Sequence, residues 1–176
     1  VPSIRSALET PELEGSLKTK SIMLTAAFAA LYAVLVFIFA GISYGMVQVR
    51  IADALIPLSI VLGWPVVLGV AIGCAIANIA TPLPSVATDV TLGSVANFIA
   101  SLLAWRISRW KSGRVGELFG CLAATLTVTL IVGTYLAAIT AMNYWIWWIG
   151  VGIGSIISIT VVGFILVTVL RTLKIR

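Results

Sequence analysis

Continuous apolar runs of about 20 residues, the length that crosses the hydrocarbon of a bilayer, recur along this chain and leave it few folds to choose from. The runs lack the strict alternation of barrel strands, so they predict helices. Of the 176 residues 61% are hydrophobic and 10% charged, a balance that points to an integral membrane protein. No polar stretch is long enough for a second domain. The expected fold is all-α, a polytopic membrane protein formed by residues 21–176 as one six-transmembrane-helix bundle. Residues 1–20 are expected as a loosely ordered or amphipathic cytoplasmic lead-in. They hold Arg5, Glu9, Glu12 and Glu14 and no apolar core, so they do not read as a signal peptide.

Six spans are expected, over residues 22–42, 48–62, 65–80, 89–105, 116–140 and 145–173. The second is short. Gly63-Trp64-Pro65 predicts a tight turn with proline in the first turn of the third span, and the prolines at 82 and 84 predict a loop. With the N-terminus inside, Lys18, Lys20, Arg106, Arg109, Lys111, Arg114, Arg171, Lys174 and Arg176 all fall on the cytoplasmic side, and Arg50 falls outside. Both termini are then cytoplasmic in the cell membrane, and an odd span count would strand the C-terminal cluster. This placement accounts for the net charge of +5 without a nucleic-acid partner. Cys74 and Cys121 lie inside spans and read as buried free thiols.

Small residues recur four apart: Ala26 and Ala30, Ala29 and Ala33, then Gly69, Gly73, Ala77 and Thr81, then Gly150, Gly154 and Ser158. Such stripes let helix backbones approach where lipid supplies no hydrophobic drive. Internal packing is the reading for the two glycine stripes. The alanines of the first span fit either packing or a partner protein.

The polar residues of the spans converge on the outer half. Gln48, Arg50 and Asp53 start the second span, and on an α-helix Arg50 and Asp53 share one face with Pro57 two turns on. Asn78 ends the third span. Asp89 opens the fourth, with Gly93 and Asn97 on its face, and has two readings, as a helix N-cap or as a ligand. Tyr144, Trp145 and Trp148, with Trp147 among them, start the sixth, as an interfacial belt or as pocket walls; three tryptophans within four residues leave at least one facing lipid. A charged pair in lipid is costly, so Arg50 and Asp53 are expected to face a cavity. Carboxylates accept from an N–H edge, Arg and Gln address a carbonyl, and aromatic rings sandwich a flat one. That set suits a planar heteroaromatic molecule. It suits a metal poorly, since the chain has no histidine, and no cofactor is expected.

A phosphate-binding G-x-x-x-x-G-K-[ST] loop is missing, so the chain does not power transport with ATP itself, and without histidine it has no Ser/His/Asp or Cys/His constellation. An enzyme is not expected. Three classes remain: a substrate-capture subunit, a self-sufficient small oligomeric transporter, and a membrane scaffold.

The run from Tyr44 to Leu55, with Gln48-Val49-Arg50-Ile51-Ala52-Asp53-Ala54-Leu55, resembles the Q-x-R-[VI]-S-E-A-L signature of the queuosine-precursor transporter (QueT) family. Gly69-x-x-x-Gly73-Cys74-x-x-Ala77-Asn78 and Asp89-x-x-x-Gly93-Ser94-x-Ala96-Asn97 resemble its next two motifs. The departure is Ala52-Asp53 in place of Ser-Glu, a shorter acid. The resemblance implies a six-helix S component of an energy-coupling-factor (ECF) transporter, serving a membrane coupling subunit and two ATPase subunits. It implies a 7-deazaguanine substrate, with a 7-cyano or 7-aminomethyl group. Gln48, Arg50, Asp53, Asn78, Asp89 and Asn97 match the family's polar positions, and Ala26, Ala29, Ala30 and Ala33 would dock on the coupling subunit. The alternative is another vitamin-like heteroaromatic compound.

Overall fold

The computed structural model describes residues 11–45, 48–111 and 113–173, and of residues 11–17 only the helical backbone. Residues 1–10 and the terminal Lys174 and Arg176 lie outside the described residues. Among the described residues all regular structure is helical. α1 runs Pro11–Ile38 and a single turn, α2, Ala40–Ser43. α3 spans Ile51–Leu62, α4 Trp64–Asn78, α5 Val86–Ile107, α6 Arg114–Thr140 and α7 Tyr144–Thr172. The described part of the lead-in, from Pro11, is helical and continues into the first apolar run.

Among the described residues four helices are long and apolar enough to cross a membrane: α1 from Lys18, α5, α6 and α7. α3 and α4 are shorter than a span, in line with the short second segment expected at 48–62 and the third at 65–80. The two have matching reach all the same. The 3₁₀ winding of Ile51–Leu58 rises faster than an α-helix, so with the α-turn Ser59–Leu62 it covers about 22 Å, as do the 15 residues of α4. Gly63, at φ 68°, turns the chain between them, and Pro65 sits in the first turn of α4 as expected.

Packing follows the small-residue stripes. α4 lies along α1, where a Cβ on Gly69 would stand 2.6 Å from Phe28 Cβ and one on Gly73 2.6 Å from the Ala29 carbonyl oxygen. α5 packs on α4 and α6, and α7 on α6. α3 fills the centre, touching α1, α4, α5, α6 and α7, with Ala52 to Leu58 all buried. Trp64 meets Trp105 edge-on at 5.6 Å between centroids, and Arg106 and Arg109 lie over the Trp105 ring. The α3–α4 turn thus sits at the basic end of the bundle. At that end Arg171 Nε also reaches buried Glu117 at 2.8 Å.

The expected α-helix from Gln48 does not form. Gln48 to Arg50 are non-helical, and Arg50 takes an extended conformation (φ −87°, ψ 94°) at the N-cap of α3. Pro57, inside the 3₁₀ segment, has no N–H to donate. In the 3₁₀ register the carbonyl left without that donor belongs to Ala54. This oxygen lies against Gly163 of α7, where a Cβ would stand 3.2 Å from it and 2.7 Å from Pro57 Cγ. Gly163 closes a π-helical stretch, Ile156–Gly163, inside α7. Two irregular segments therefore face one another at the centre.

Candidate ligand-binding site

Arg50 and Asp53 do not form the direct ion pair that a shared α-helical face predicts. Arg50 leaves the helix axis at the cap, and no Arg50–Asp53 salt bridge occurs among the described residues. Arg50 instead lies over the Tyr44 ring, 5.4 Å from its centroid, with Nη1 3.7 Å from Cys74 Sγ. Asp53 accepts from the Tyr32 hydroxyl of α1 at 2.5 Å, and that hydroxyl accepts in turn from Asn97 Nδ2 of α5 at 2.7 Å. Three helices meet in that chain of two bonds.

A second group forms around Asp89. Ser85, not Asp89, caps α5, accepting from Thr88 N at 3.4 Å. The helix therefore starts three residues earlier than expected, and the N-cap reading of Asp89 is overturned. Asp89 sits inside the first turn, wholly buried, and its Oδ1 accepts from the Tyr135 hydroxyl of α6 at 2.5 Å. Asn78 donates from Nδ2 to the Asp89 carbonyl oxygen at 2.9 Å and approaches Cys74 Sγ at 3.5 Å. Cys74 lies between Arg50 and Asn78, so the two groups are neighbours. Gly93 makes room: a Cβ there would stand 2.6 Å from Asn78 Nδ2. Gly154 of α7 does the same for the approach strand, with a Cβ position overlapping the Gln48 carbonyl.

Gln48, Arg50, Asp53, Asn78, Asp89 and Asn97 are thus all buried and brought together from four elements. Five buried polar atoms find no hydrogen-bond partner among the described residues: Gln48 Nε2, Arg50 Nε and Nη2, Asn78 Oδ1 and Asp89 Oδ2. Native interiors leave few such atoms, because each carries a desolvation penalty of about 1–3 kcal/mol. Here all five belong to residues of one cluster. Three are donors on the Gln48–Arg50 strand and two are acceptors on α4 and α5.

The aromatic residues of α7 behave differently. Tyr144 and Trp145 are exposed, at 49% and 66%, and Trp148 is half-buried. The Trp148 ring meets Tyr144 at a tilt and Trp145 edge-on, with centroids 6.3 and 5.2 Å away, and its Nε1 donates to Thr134. Buried Trp147, by contrast, donates to Thr140 at 2.8 Å. The rings that do meet the polar cluster are the tyrosines at 32, 44 and 135. Sequence reasoning passed over Tyr32 and Tyr135. Each is a phenol deep in an apolar helix, and its hydroxyl, which has to find a partner there, was the available signal.

On α1, Ala29 and Ala33 are buried, while Ala26 and Ala30 are exposed beside a groove shared with Leu68, Ile72 and Ile76 of α4. Cys74 and Cys121 are buried free thiols.

The sequence model of a family described as QueT transporter matches residues 22–172, a span that holds every residue of the polar cluster. No curated protein and no solved structure matches the chain.

Proposed function

The chain belongs to the QueT transporter family, and from that premise we propose that it is the substrate-capturing S component of an ATP-driven importer of the ECF type, with a 7-deazaguanine queuosine precursor as its substrate. The observation that carries the reading is the set of five buried, unmatched polar atoms on Gln48, Arg50, Asn78 and Asp89. The three donors complement the carbonyl of a flat ring, and the two acceptors complement an N–H-bearing group carried by that ring. Arg50 and Gln48 take the carbonyl. Asp53, pre-set by Tyr32 and Asn97, takes the ring N–H and amino edge, and a carboxylate is the strong acceptor for such a pair. Tyr44 supplies a ring face beside Arg50. Tyr144, Trp145 and Trp148 are assigned to the membrane interface, because their exposure fits an aromatic belt.

In this reading all six apolar helical segments traverse the cell membrane, with both termini in the cytoplasm and the polar cluster in the outer half. The shorter α3 and α4 are carried by the helices around them. Energy comes from two ATPase subunits through a membrane coupling subunit. The exposed faces of Ala26 and Ala30 and the groove beside them form the docking surface, since small residues allow close helix approach. Uptake into proteoliposomes tests the assignment. The chain alone should accumulate no labelled 7-deazaguanine, and co-reconstitution with its ATPase and coupling subunits should give ATP-dependent uptake. Uptake by the chain alone would favour a self-sufficient oligomeric transporter instead.

A further inference from the structure

Four charged side chains are buried among the described residues: Arg50, Asp53, Asp89 and Glu117. Glu117 stands apart at the basic end, where Arg171 Nε meets it at 2.8 Å, so its charge is matched within the chain. The other three share the polar cluster and do not cancel, because one guanidinium stands against two carboxylates. With both acids ionised, one negative charge remains whichever of them is assigned to Arg50. A buried charge without a counter-charge is strongly unfavourable unless something supplies one.

The hydrogen bonds indicate where the surplus sits. Asp53 is three residues from Arg50 in the chain and accepts from the Tyr32 hydroxyl. Among the described residues Asp89 has only Tyr135 on Oδ1, and its Oδ2 is unmatched. Next to it, Asn78 commits its amide nitrogen to the Asp89 carbonyl, which leaves Asn78 Oδ1 as a second unmatched acceptor. Two acceptors without donors, one of them anionic, are what an ammonium group satisfies, since it has three donors and no acceptor.

We propose that the site selects a ligand with one positive charge, its ammonium seated on Asp89 Oδ2 and Asn78 Oδ1, and that Asp89 is the residue that sets this selectivity. The proposal rests on the deazaguanine reading above and decides between its two forms. A protonated 7-aminomethyl group brings the missing charge and donors. A 7-cyano group is neutral, and its nitrogen offers an acceptor where two acceptors already stand.

Calorimetric titration of the purified chain with each compound reads the preference directly and needs no variant. The 7-aminomethyl compound should bind at least about tenfold more tightly than the 7-cyano compound, as expected for a charge-assisted contact out of water. Asp89→Asn, close to isosteric, should lower affinity for the aminomethyl compound far more than for the cyano compound and bring the two within about threefold. Asp53→Asn should weaken both together. Equal affinities, or a preference for the nitrile, in the unaltered protein would overturn the charge selection while leaving the deazaguanine reading standing. A preference that survives Asp89→Asn but is lost in Asp53→Asn would overturn the assignment to Asp89. Binding of neither compound would remove the deazaguanine reading and the selection with it.

Discussion

Tyr32 ties the site to the helix that precedes it. Its hydroxyl donates to Asp53 and accepts from Asn97, so a single oxygen holds a buried acid and a buried amide from two other elements. Tyr32→Phe keeps the ring and removes both bonds. It should lower stability by about 1–3 kcal/mol through the unmatched partners. It should also weaken ligand binding, because Asp53 is no longer oriented. Thermal unfolding in detergent, paired with calorimetry, separates the two effects; unchanged binding would mean Asp53 is positioned by other contacts. The six polar residues of the cluster were legible in the sequence because charges and amides inside apolar runs are few and each needs a partner. Tyr32 and Tyr135 were not, since a tyrosine in an apolar helix counts as one more aromatic until its hydroxyl is traced. The α7 aromatics misled for a related reason: composition says that rings are present, not which way they face.

At the scale of elements, α5, α6 and α7 were read within a few residues because uncharged length is an unambiguous signal, whereas α1 is already helical at Pro11, eleven residues before the expected first span. The winding inside the helices was not legible. In a stretch apolar all round, no polar face exists to distinguish periods of 3.0 and 3.6 residues or to reveal a π-stretch, so the 3₁₀ segment Ile51–Leu58 and the π-helical Ile156–Gly163 left no pattern. What they left was punctuation, in Pro57, Gly154 and Gly163. Gly154 has the sharpest consequence, because a Cβ there cannot coexist with the Gln48 carbonyl in its present place. Gly154→Ala should displace the Gln48–Arg50 strand and cut binding by an order of magnitude or more. Helix content by circular dichroism should stay near that of the unaltered protein. Full affinity in this variant would show that the strand does not position Arg50. Gly163→Ala meets Pro57 and the Ala54 carbonyl at close range and should destabilise by about 1–3 kcal/mol, read as a lower midpoint of thermal unfolding.

Across the whole molecule, charge is divided by end: the cytoplasmic-type cluster of Arg106, Arg109, Lys111, Arg114 and Arg171 stands at one end, and Arg50 is buried toward the other. In the proposed reading, docking and capture likewise use different surfaces, with exposed Ala26 and Ala30 on α1 and the polar cluster inside. Ala30→Trp should therefore abolish co-purification with the coupling and ATPase subunits and leave ligand binding intact, whereas Arg50→Ala should do the reverse. Loss of both functions in either variant would contradict that separation. The central claim is that this chain by itself captures a deazaguanine, and titration calorimetry of the purified protein without nucleotide or partner subunits tests it most directly. The account predicts saturable, stoichiometric binding of a 7-deazaguanine that Arg50→Ala removes; a folded protein that gives no binding heat with any 7-deazaguanine at any accessible concentration would contradict it.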